Sequence, residues 1–323
     1  MREREGIYLS EVNSKKLSVQ QHINRNKQKQ KWRKSFEKFI PIGLFLIASI
    51  SVCTTGGIIY ILLSESIQFF KEVPILEFFT GTVLKPLSQE PKFGVLPLLM
   101  GTLTSTVIAM LVALPIGLMS AIYLSEYAPL KVKKICKPLL EVLAGIPTIV
   151  YGFFAFTFVT PLLQQVIPGL EATNILSPGI VMGIMIIPMI ASLSEDAMSA
   201  VPDPLREGAL AMGSTKLEVV FKVVIPSALS GIIASIVLAF SRAIGETMIV
   251  TIASGSTKNF TLDVTQSMQT MTAYIVEVTG GDAPAGSTIY YSLYAVGLTL
   301  FFFTLVMNLL ASYITKRWKE SYE

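Results

Sequence analysis

Apolar residues are concentrated in six long blocks that are separated by shorter polar stretches. A helix needs about 20 apolar residues to cross a bilayer core of ~30 Å, and strand-like alternation is absent. Because a backbone in lipid must satisfy its own hydrogen bonds, the blocks predict an all-α polytopic membrane protein with six transmembrane helices. The fourth block is the shortest and is predicted to be broken at Pro188. The blocks cover residues 39–63, 97–124, 139–166, 177–194, 225–253 and 289–314.

The composition agrees with this interpretation. Hydrophobic residues make up 52% of the 323 residues and charged residues only 15%, whereas a soluble domain carries about 25% charged residues. A soluble globular class is therefore excluded.

Lysine and arginine are distributed unevenly between the two sides that six spans create. Twenty-one lie in the N-terminal stretch, the second and fourth loops and the C-terminal tail, whereas four lie in the alternate loops. Basic loops are retained in the cytoplasm, so both termini are predicted to be cytoplasmic.

The polar segments divide the chain further. The basic N-terminal tail is expected to be disordered and attracted to anionic lipid rather than to nucleic acid. The first apolar block lacks a small-residue cleavage site and is predicted to remain as an anchor. The predicted segments are the tail 1–38, the first helix 39–63, an extracytoplasmic loop 64–96, a five-helix core 97–319 containing the cytoplasmic segment 195–224, and a short tail 320–323.

Catalytic motifs are absent from the sequence. It contains no HExxH, no Ser/His pair and no GxxxxGK[ST] phosphate-binding loop. Cys53 and Cys136 lie at different predicted depths, so neither a disulfide nor a metal site is expected. The chain is therefore predicted to be no enzyme, to have no catalytic residue and to need no cofactor.

The cytoplasmic segment is patterned as a helix, a tight turn and a second helix. Asp203 before Pro204 is typical of a helix start, and Gly213 is typical of a helix stop. Thr215 and Glu218 have the spacing of a capping box that opens the next helix.

The first of these helices has one apolar face. Leu205, Ala209 and Met212 fall at i, i+4 and i+7, and Gly208 with Ala209 keeps the helix slim. From the residues alone, two interpretations stay open: a connection lying on lipid headgroups, or a helix that enters a groove on another protein.

A resemblance decides between them. Glu207, Ala209, Gly213 and Ile225-Pro226 have the spacing of the EAA loop of ABC-importer permeases, with Gly208 where many members have alanine. The resemblance implies the type I importer permease (MetI-like) fold and a short helix that docks into a cleft on a cytoplasmic ATPase. The residues it assigns to this coupling are Asp203, Leu205, Glu207, Gly208, Ala209, Met212 and Gly213.

Further motifs resemble the permeases of phosphate importers, and the C-type (PstC) subunit in particular. The basic tail 1–38 lies outside this resemblance. The motifs are Phe93-Gly94-Val95-Leu96-Pro97, Gly101-Thr102-Leu103, Ile116-Gly117, Tyr123-Leu124-Ser125-Glu126, Leu143-Ala144-Gly145-Ile146-Pro147-Thr148-Ile149-Val150-Tyr151-Gly152 and Ser241-Arg242-Ala243-Ile244-Gly245-Glu246-Thr247-Met248.

The family resemblance implies partners and a location. They are a second permease subunit forming a heterodimer, two cytoplasmic ATPase subunits and an extracytoplasmic phosphate-binding protein. The location is the plasma membrane of a bacterium.

Arg242 and Glu246 are the charged pair predicted deep inside a span, one helical turn apart. A charge at the bilayer centre costs about 2.5–3.5 kcal/mol on insertion scales, so both are expected to face the bundle interior. The pair could simply neutralise itself and hold helices together. We favour a substrate pathway, because a guanidinium fork matches two oxygens of a phosphate, with Glu246 competing for Arg242 so that the anion is released.

Other acidic residues are expected to lie outside the pathway. Glu141 is expected at the membrane interface beside Lys137, and Glu126 is expected to be solvated. In the outer loop 254–288, apolar residues at helical spacing predict a short helix with Asp263 as its cap.

Two rival functions stay open. A permease for sulfate or molybdate would share the cytoplasmic helix and an arginine–glutamate pair. An ion-coupled secondary transporter would need acidic residues within several spans, and few are present.

Overall fold

The computed structural model describes residues 37, 39–281 and 283–319, so most of the predicted tails lies outside the described residues. These residues form eleven helices and one two-stranded hairpin. The helices are α1 Phe39–Glu72, α2 Ile75–Thr80, α3 Leu96–Tyr127, α4 Leu130–Ala144, α5 Thr148–Gln164, α6 Leu176–Ser199, α7 Asp203–Ala211, α8 Lys216–Ile244, α9 Met248–Ala253, α10 Met271–Gly280 and α11 Thr288–Lys319. The strands are β1 Leu84–Lys85 and β2 Lys92–Phe93.

The described residues fall into two compact units, one ending at Ile61 and one beginning at Leu62. The first unit contains the apolar, exposed part of α1. The second contains all the other elements.

The predicted number of membrane spans is confirmed. Five helices are long and apolar enough to cross a membrane, and the bent pair α4–α5 makes a sixth if it counts as one span. The all-α prediction is confirmed as well, apart from the two-residue strands.

Helix α6 is the most buried of these spans. It packs closely along α3, since a Cβ at Gly183 would lie only 2.8 Å from the carbonyl oxygen of Ala109. The predicted break at Pro188 is wrong, because α6 continues through this proline without interruption. Tight packing on neighbouring helices lets a membrane helix tolerate the missing hydrogen bond.

Two predicted spans are interrupted. The third bends by 85° between α4 and α5 at Gly145–Pro147, where Pro147 lacks the N–H that a continuous helix requires. The fifth stops at Ile244 and resumes as α9 at Met248. Continuous helices over 139–166 and 225–253 were therefore wrong predictions.

The helices that follow the two breaks, α5 and α9, pack against each other through Gly152. A Cβ at this position would lie 3.1 Å from the carbonyl oxygen of Met248 and 2.9 Å from the side chain of Ile252. Glycine therefore permits the backbones to approach closely at this crossing.

The end of the second unit that carries the β-hairpin has its own aromatic core. The hairpin pairs Leu84 with Phe93 in antiparallel register. The ring of Phe69 meets those of Phe78 and Phe93 edge to face at 5.4 Å. This hairpin end and the end where α7 lies are the two ends of α3.

The loop after α9 differs from its prediction. Its helix, α10, begins at Met271, and the hydroxyl of Thr270 caps it by accepting a hydrogen bond from Ala273 N at 3.2 Å. Asp263 instead accepts hydrogen bonds from Thr265, which lower the pKa of its carboxyl. The residues between Asp263 and Thr270 form no helix, and Met268 among them is fully buried.

Candidate functional site

Arg242 lies in the last turn of α8 and lines a cavity of about 410 Å³. Its side chain is 49% exposed. At ~30 Å³ per molecule, the cavity has the volume of roughly a dozen waters, so a partly hydrated oxyanion fits. The other lining residues come from α4 and α6: Leu140, Glu141, Ala144, Met185, Ile186, Pro188, Met189, Ser192 and Leu193.

Glu246 lies in the break between α8 and α9. Its side chain is only 2% exposed, and one carboxylate oxygen accepts a weak hydrogen bond from Ile249 N at 3.4 Å. Its own carbonyl oxygen accepts a hydrogen bond from the hydroxyl of Thr272 at 2.7 Å. The break therefore holds a buried carboxylate in place beside the cavity wall.

Arg242 and Glu246 are brought together as the helical spacing predicted, although a helix break separates them. Their closest nitrogen and oxygen are 3.8 Å apart. This separation is longer than a hydrogen bond, and a guanidinium carries five N–H donors. The pair therefore leaves Arg242 with donors that a second anion in the cavity could use.

Glu141 lines the same cavity as Arg242, which its predicted interfacial position did not anticipate. Lys137 lies beside other carboxylates: it pairs with Glu195 and, at 3.2 Å, with Asp196. Lys133 also reaches Glu195 at 3.2 Å. These ion pairs connect α4 to α6 one turn beyond the cavity.

Among the described residues, Glu195 and Glu246 are the charged residues with the least exposure, at 1% and 3%. The sequence analysis missed Glu195. The signal that could have found it is an acidic pair, Glu195-Asp196, at the end of a span whose neighbouring loop carries four lysines.

Helix α7 has the local structure that the sequence predicts, apart from its first residue. Pro202 occupies the N-cap position and Asp203 is already helical, so the predicted capping role of Asp203 is wrong. The helix ends at Ala211, and Gly213, which follows the C-cap Met212, has a φ of +90°. Gly213 N and Ser214 N donate to the carbonyl oxygens of Leu210 and Ala209, as in a Schellman motif.

The predicted capping box is confirmed. The Thr215 hydroxyl accepts from Glu218 N at 3.3 Å, and the Glu218 carboxylate accepts from Thr215 N at 3.0 Å. The turn between the two helices is thus specified by hydrogen bonds within a few residues.

Several side chains of α7 are exposed, including those of Leu205, Glu207 and Met212, and Met212 is 88% exposed. Gly208 is exposed too, and a Cβ there would meet nothing within 4 Å. Ala209 instead packs inward on a buried cluster, so it does not share one apolar face with the exposed Leu205 and Met212, as the i, i+4, i+7 spacing predicted. Leu205 and Met212, spaced i and i+7, are both exposed, and apolar surface that is grouped on one face favours a binding surface.

Glu126 is not solvated as predicted. Its side chain is 8% exposed, and it pairs with Arg206 of α7 at 3.2 Å. Sequence reasoning missed this pair because its members are 80 residues apart.

Within the described part of the chain, no group of three or more His, Cys, Asp or Glu side chains is placed to hold a metal ion.

A bundle of helices long enough to span a membrane, with a half-exposed arginine in an open pocket and a short exposed helix at one end, is the arrangement expected of a membrane-embedded transporter subunit. Residues 113–320 match the family model for the binding-protein-dependent transport system inner membrane component. This match covers more than half of the chain, which therefore belongs to that family. The protein is an ABC-importer permease subunit of a bacterial membrane, a type that works with ATPase and substrate-binding partners.

Relatives of similar length support this assignment. The chain is 31% identical over 312 residues to the probable ABC transporter permease YqgH of Bacillus subtilis, covering 95% of this chain and 99% of the relative. It is 32% identical to the probable phosphate transport system permease PstC of Methanocaldococcus jannaschii (78% and 87% covered) and to PstC of Haemophilus influenzae (80% and 85% covered). The match to YqgH leaves fewer residues unmatched than the tail 1–38 contains, so this likeness includes part of the tail.

Solved structures show the same fold. One chain of a bacterial ABC transporter that imports the polysaccharide alginate superposes with a TM-score of 0.59 at 14% identity, over 84% of this chain and 96% of that chain. A chain of the MetNI methionine transporter superposes with a TM-score of 0.52 at 16% identity, over 70% and 94%. These similarities confirm the predicted MetI-like fold.

Proposed function

We propose that this permease subunit carries inorganic phosphate into the cytoplasm. It does so beside a second, related permease subunit, with two cytoplasmic ATPase subunits and an extracytoplasmic phosphate-binding protein. The observation that carries the proposal is the cavity where Arg242 presents a half-exposed guanidinium beside a buried carboxylate. Relatives that are named phosphate permeases at 32% identity support phosphate as the anion.

Arg242 binds the passing anion through its fork of N–H donors. Glu246 competes for the same guanidinium from a fixed position in the helix break. The competition keeps the anion from binding too tightly, and a transport site must release what it binds.

The end of the bundle that carries α7 faces the cytoplasm, because the basic loops lie at that end. The coupling residues Asp203, Leu205, Glu207, Gly208, Ala209, Met212 and Gly213 form or position the docking surface for the ATPase. Exposed Leu205 and Met212 supply its apolar contacts. ATP-driven closure of the ATPase then moves α7, and the paired bundles alternate between outward and inward access.

The substrate is tested in a reconstituted complex. Uptake of radiolabelled phosphate into proteoliposomes should require ATP and the binding protein, and excess sulfate or molybdate should leave it unchanged. Competition by sulfate or molybdate at concentrations equal to phosphate would assign the protein to another oxyanion. Accumulation by the purified subunit without any ATPase would instead identify a secondary transporter.

The docking surface is tested by copurification. Glu207→Arg should abolish copurification of the ATPase, because it reverses a charge on the exposed side of α7. Lys222→Glu makes a charge change of the same size at an exposed position on α8 and should preserve copurification. Equal retention of the ATPase by both variants would refute docking on α7.

A further inference from the structure

We propose that Arg206 is the joint that transmits movement of α7 to the ends of α3 and α6. The proposal rests on the proposed function, because it requires an ATPase that moves α7. It assigns Arg206 and its partner Glu126 a positioning role.

Arg206 connects three parts of the molecule with one guanidinium. Its Nη2 donates to the carbonyl oxygen of Met198 in α6 at 2.7 Å and to the carboxylate of Glu126 in α3 at 3.2 Å. Its Nη1 donates to the carboxylate of Asp203 at 3.0 Å and to the carbonyl oxygen of Val201. The acceptors thus belong to α3, to α6 with the turn after it, and to α7 itself.

The ion pair between Arg206 and Glu126 is shielded from water, whereas the neighbours of Arg206 in α7 are exposed. The Arg206 side chain is 16% exposed and that of Glu126 is 8% exposed, whereas Leu205 and Glu207 on either side of Arg206 are exposed. Buried charged contacts are screened less by solvent than surface pairs. Arg206 therefore holds α7 to the bundle, while the opposite side of the helix stays available for the ATPase.

The two helices that Arg206 holds lead to the cavity. Helix α6 supplies most of the cavity wall, including Met189 and Ser192. Helix α3 packs along α6 through Gly179 and Gly183. Because packed helices move as rigid elements, displacement at Met198 is passed along α6 to the wall that faces Arg242.

The guanidinium is suited to this role in a way that a lysine is not. A planar fork with five donors can bind several acceptors in fixed directions, whereas an ammonium group acts as a flexible point charge. Lysine at 206 should therefore keep α7 near the bundle but transmit its movement poorly.

The coupling ratio distinguishes this role from simple stabilisation. The phosphate imported per ATP hydrolysed is measured for Arg206→Gln, Arg206→Lys and Glu126→Gln in the reconstituted complex. All three should retain the ATPase. We expect the ratio to fall at least fivefold for Arg206→Gln and less for the other two. The control Lys222→Gln removes an exposed ion pair on α8 and should keep the wild-type ratio.

A second measurement does not depend on the substrate. Ser192→Cys places a thiol in the cavity wall, in a background where Cys53 and Cys136 are serine. Trapping the ATPase with ATP and vanadate should change the rate at which a water-soluble maleimide labels this thiol. The change should be lost in Arg206→Gln.

The outcomes separate the two proposals. A wild-type ratio of phosphate imported to ATP hydrolysed, together with a wild-type labelling change, in Arg206→Gln would refute the proposed role of Arg206. Loss of the ATPase from Glu126→Gln would overturn it as well, because the pair would then serve docking. A complex that imports no phosphate, yet shows a labelling change that depends on Arg206, would refute phosphate as the substrate. It would still support the role of Arg206 in transmitting movement.

Discussion

Replacing Arg242 with glutamine removes the guanidinium from the cavity and leaves a shorter, uncharged polar side chain. A hydrogen bond to a charged group contributes about 1.5–3 kcal/mol. Since about 1.4 kcal/mol corresponds to a factor of ten, uptake at low phosphate should fall about 10- to 150-fold. The half exposure of Arg242 favours the lower part of this range, because water screens the contact.

The same substitution leaves the buried carboxylate of Glu246 without its partner. The resulting loss of protein stability must therefore be distinguished from the loss of phosphate binding. At 3.8 Å the pair would be worth about 4 kcal/mol at an effective dielectric constant of ~20 and about 1 kcal/mol in water. Because the arginine is half exposed, the lower value applies, and the protein should still reach the membrane.

The assay is initial uptake of radiolabelled phosphate below half-saturation, normalised to the amount of protein in the membrane. Arg242→Lys keeps the charge without the fork and should fall between glutamine and the wild type. The double variant Arg242→Gln with Glu246→Gln removes the unpaired carboxylate and should not recover uptake. Normal uptake by Arg242→Gln at normal abundance would refute the reasoning. Recovery of uptake in the double variant would show that the pair only stabilises the bundle.

Two further predictions concern the parts that hold the site. Gly152→Val should lower the melting temperature in detergent, since overpacking the α5–α9 crossing costs about 1–3 kcal/mol. Gly280→Val, where a Cβ meets nothing within 4 Å, should change it far less, and equal shifts would contradict the close packing. Burial, with a further contribution from the charge of Glu277, raises the pKa of Tyr274 to about 12. Because the pKa of Tyr274 is higher in the folded than in the unfolded protein, this tyrosine contributes to the free energy of unfolding. The contribution is fully present below the unfolded pKa near 10 and is lost as pH rises through 12. The late part of the phenolate absorbance in an alkaline titration, which accompanies loss of structure, should therefore be smaller in Tyr274→Phe than in the wild type.

Features that depend on local interactions or on contact with lipid could be predicted from the amino-acid sequence. Block lengths gave the number of spans, because crossing hydrocarbon requires a fixed length of apolar helix. The turn at Gly213 that follows α7 and the capping box at Thr215 were predictable, because their hydrogen bonds join residues at most five positions apart. The contact between Arg242 and Glu246 was predictable for the same reason, because the two residues are four positions apart.

Tertiary structure decided which distant groups meet. Nothing within the local sequence pairs Glu126 with Arg206, and Glu195 finds Lys137 only because α4 and α6 pack together. The helix breaks have the same origin: a chain in lipid can leave its helix only where packed neighbours supply hydrogen bonds, as Thr272 does for Glu246. The cavity exists because three helices converge, and its charge pattern is a property of their packing.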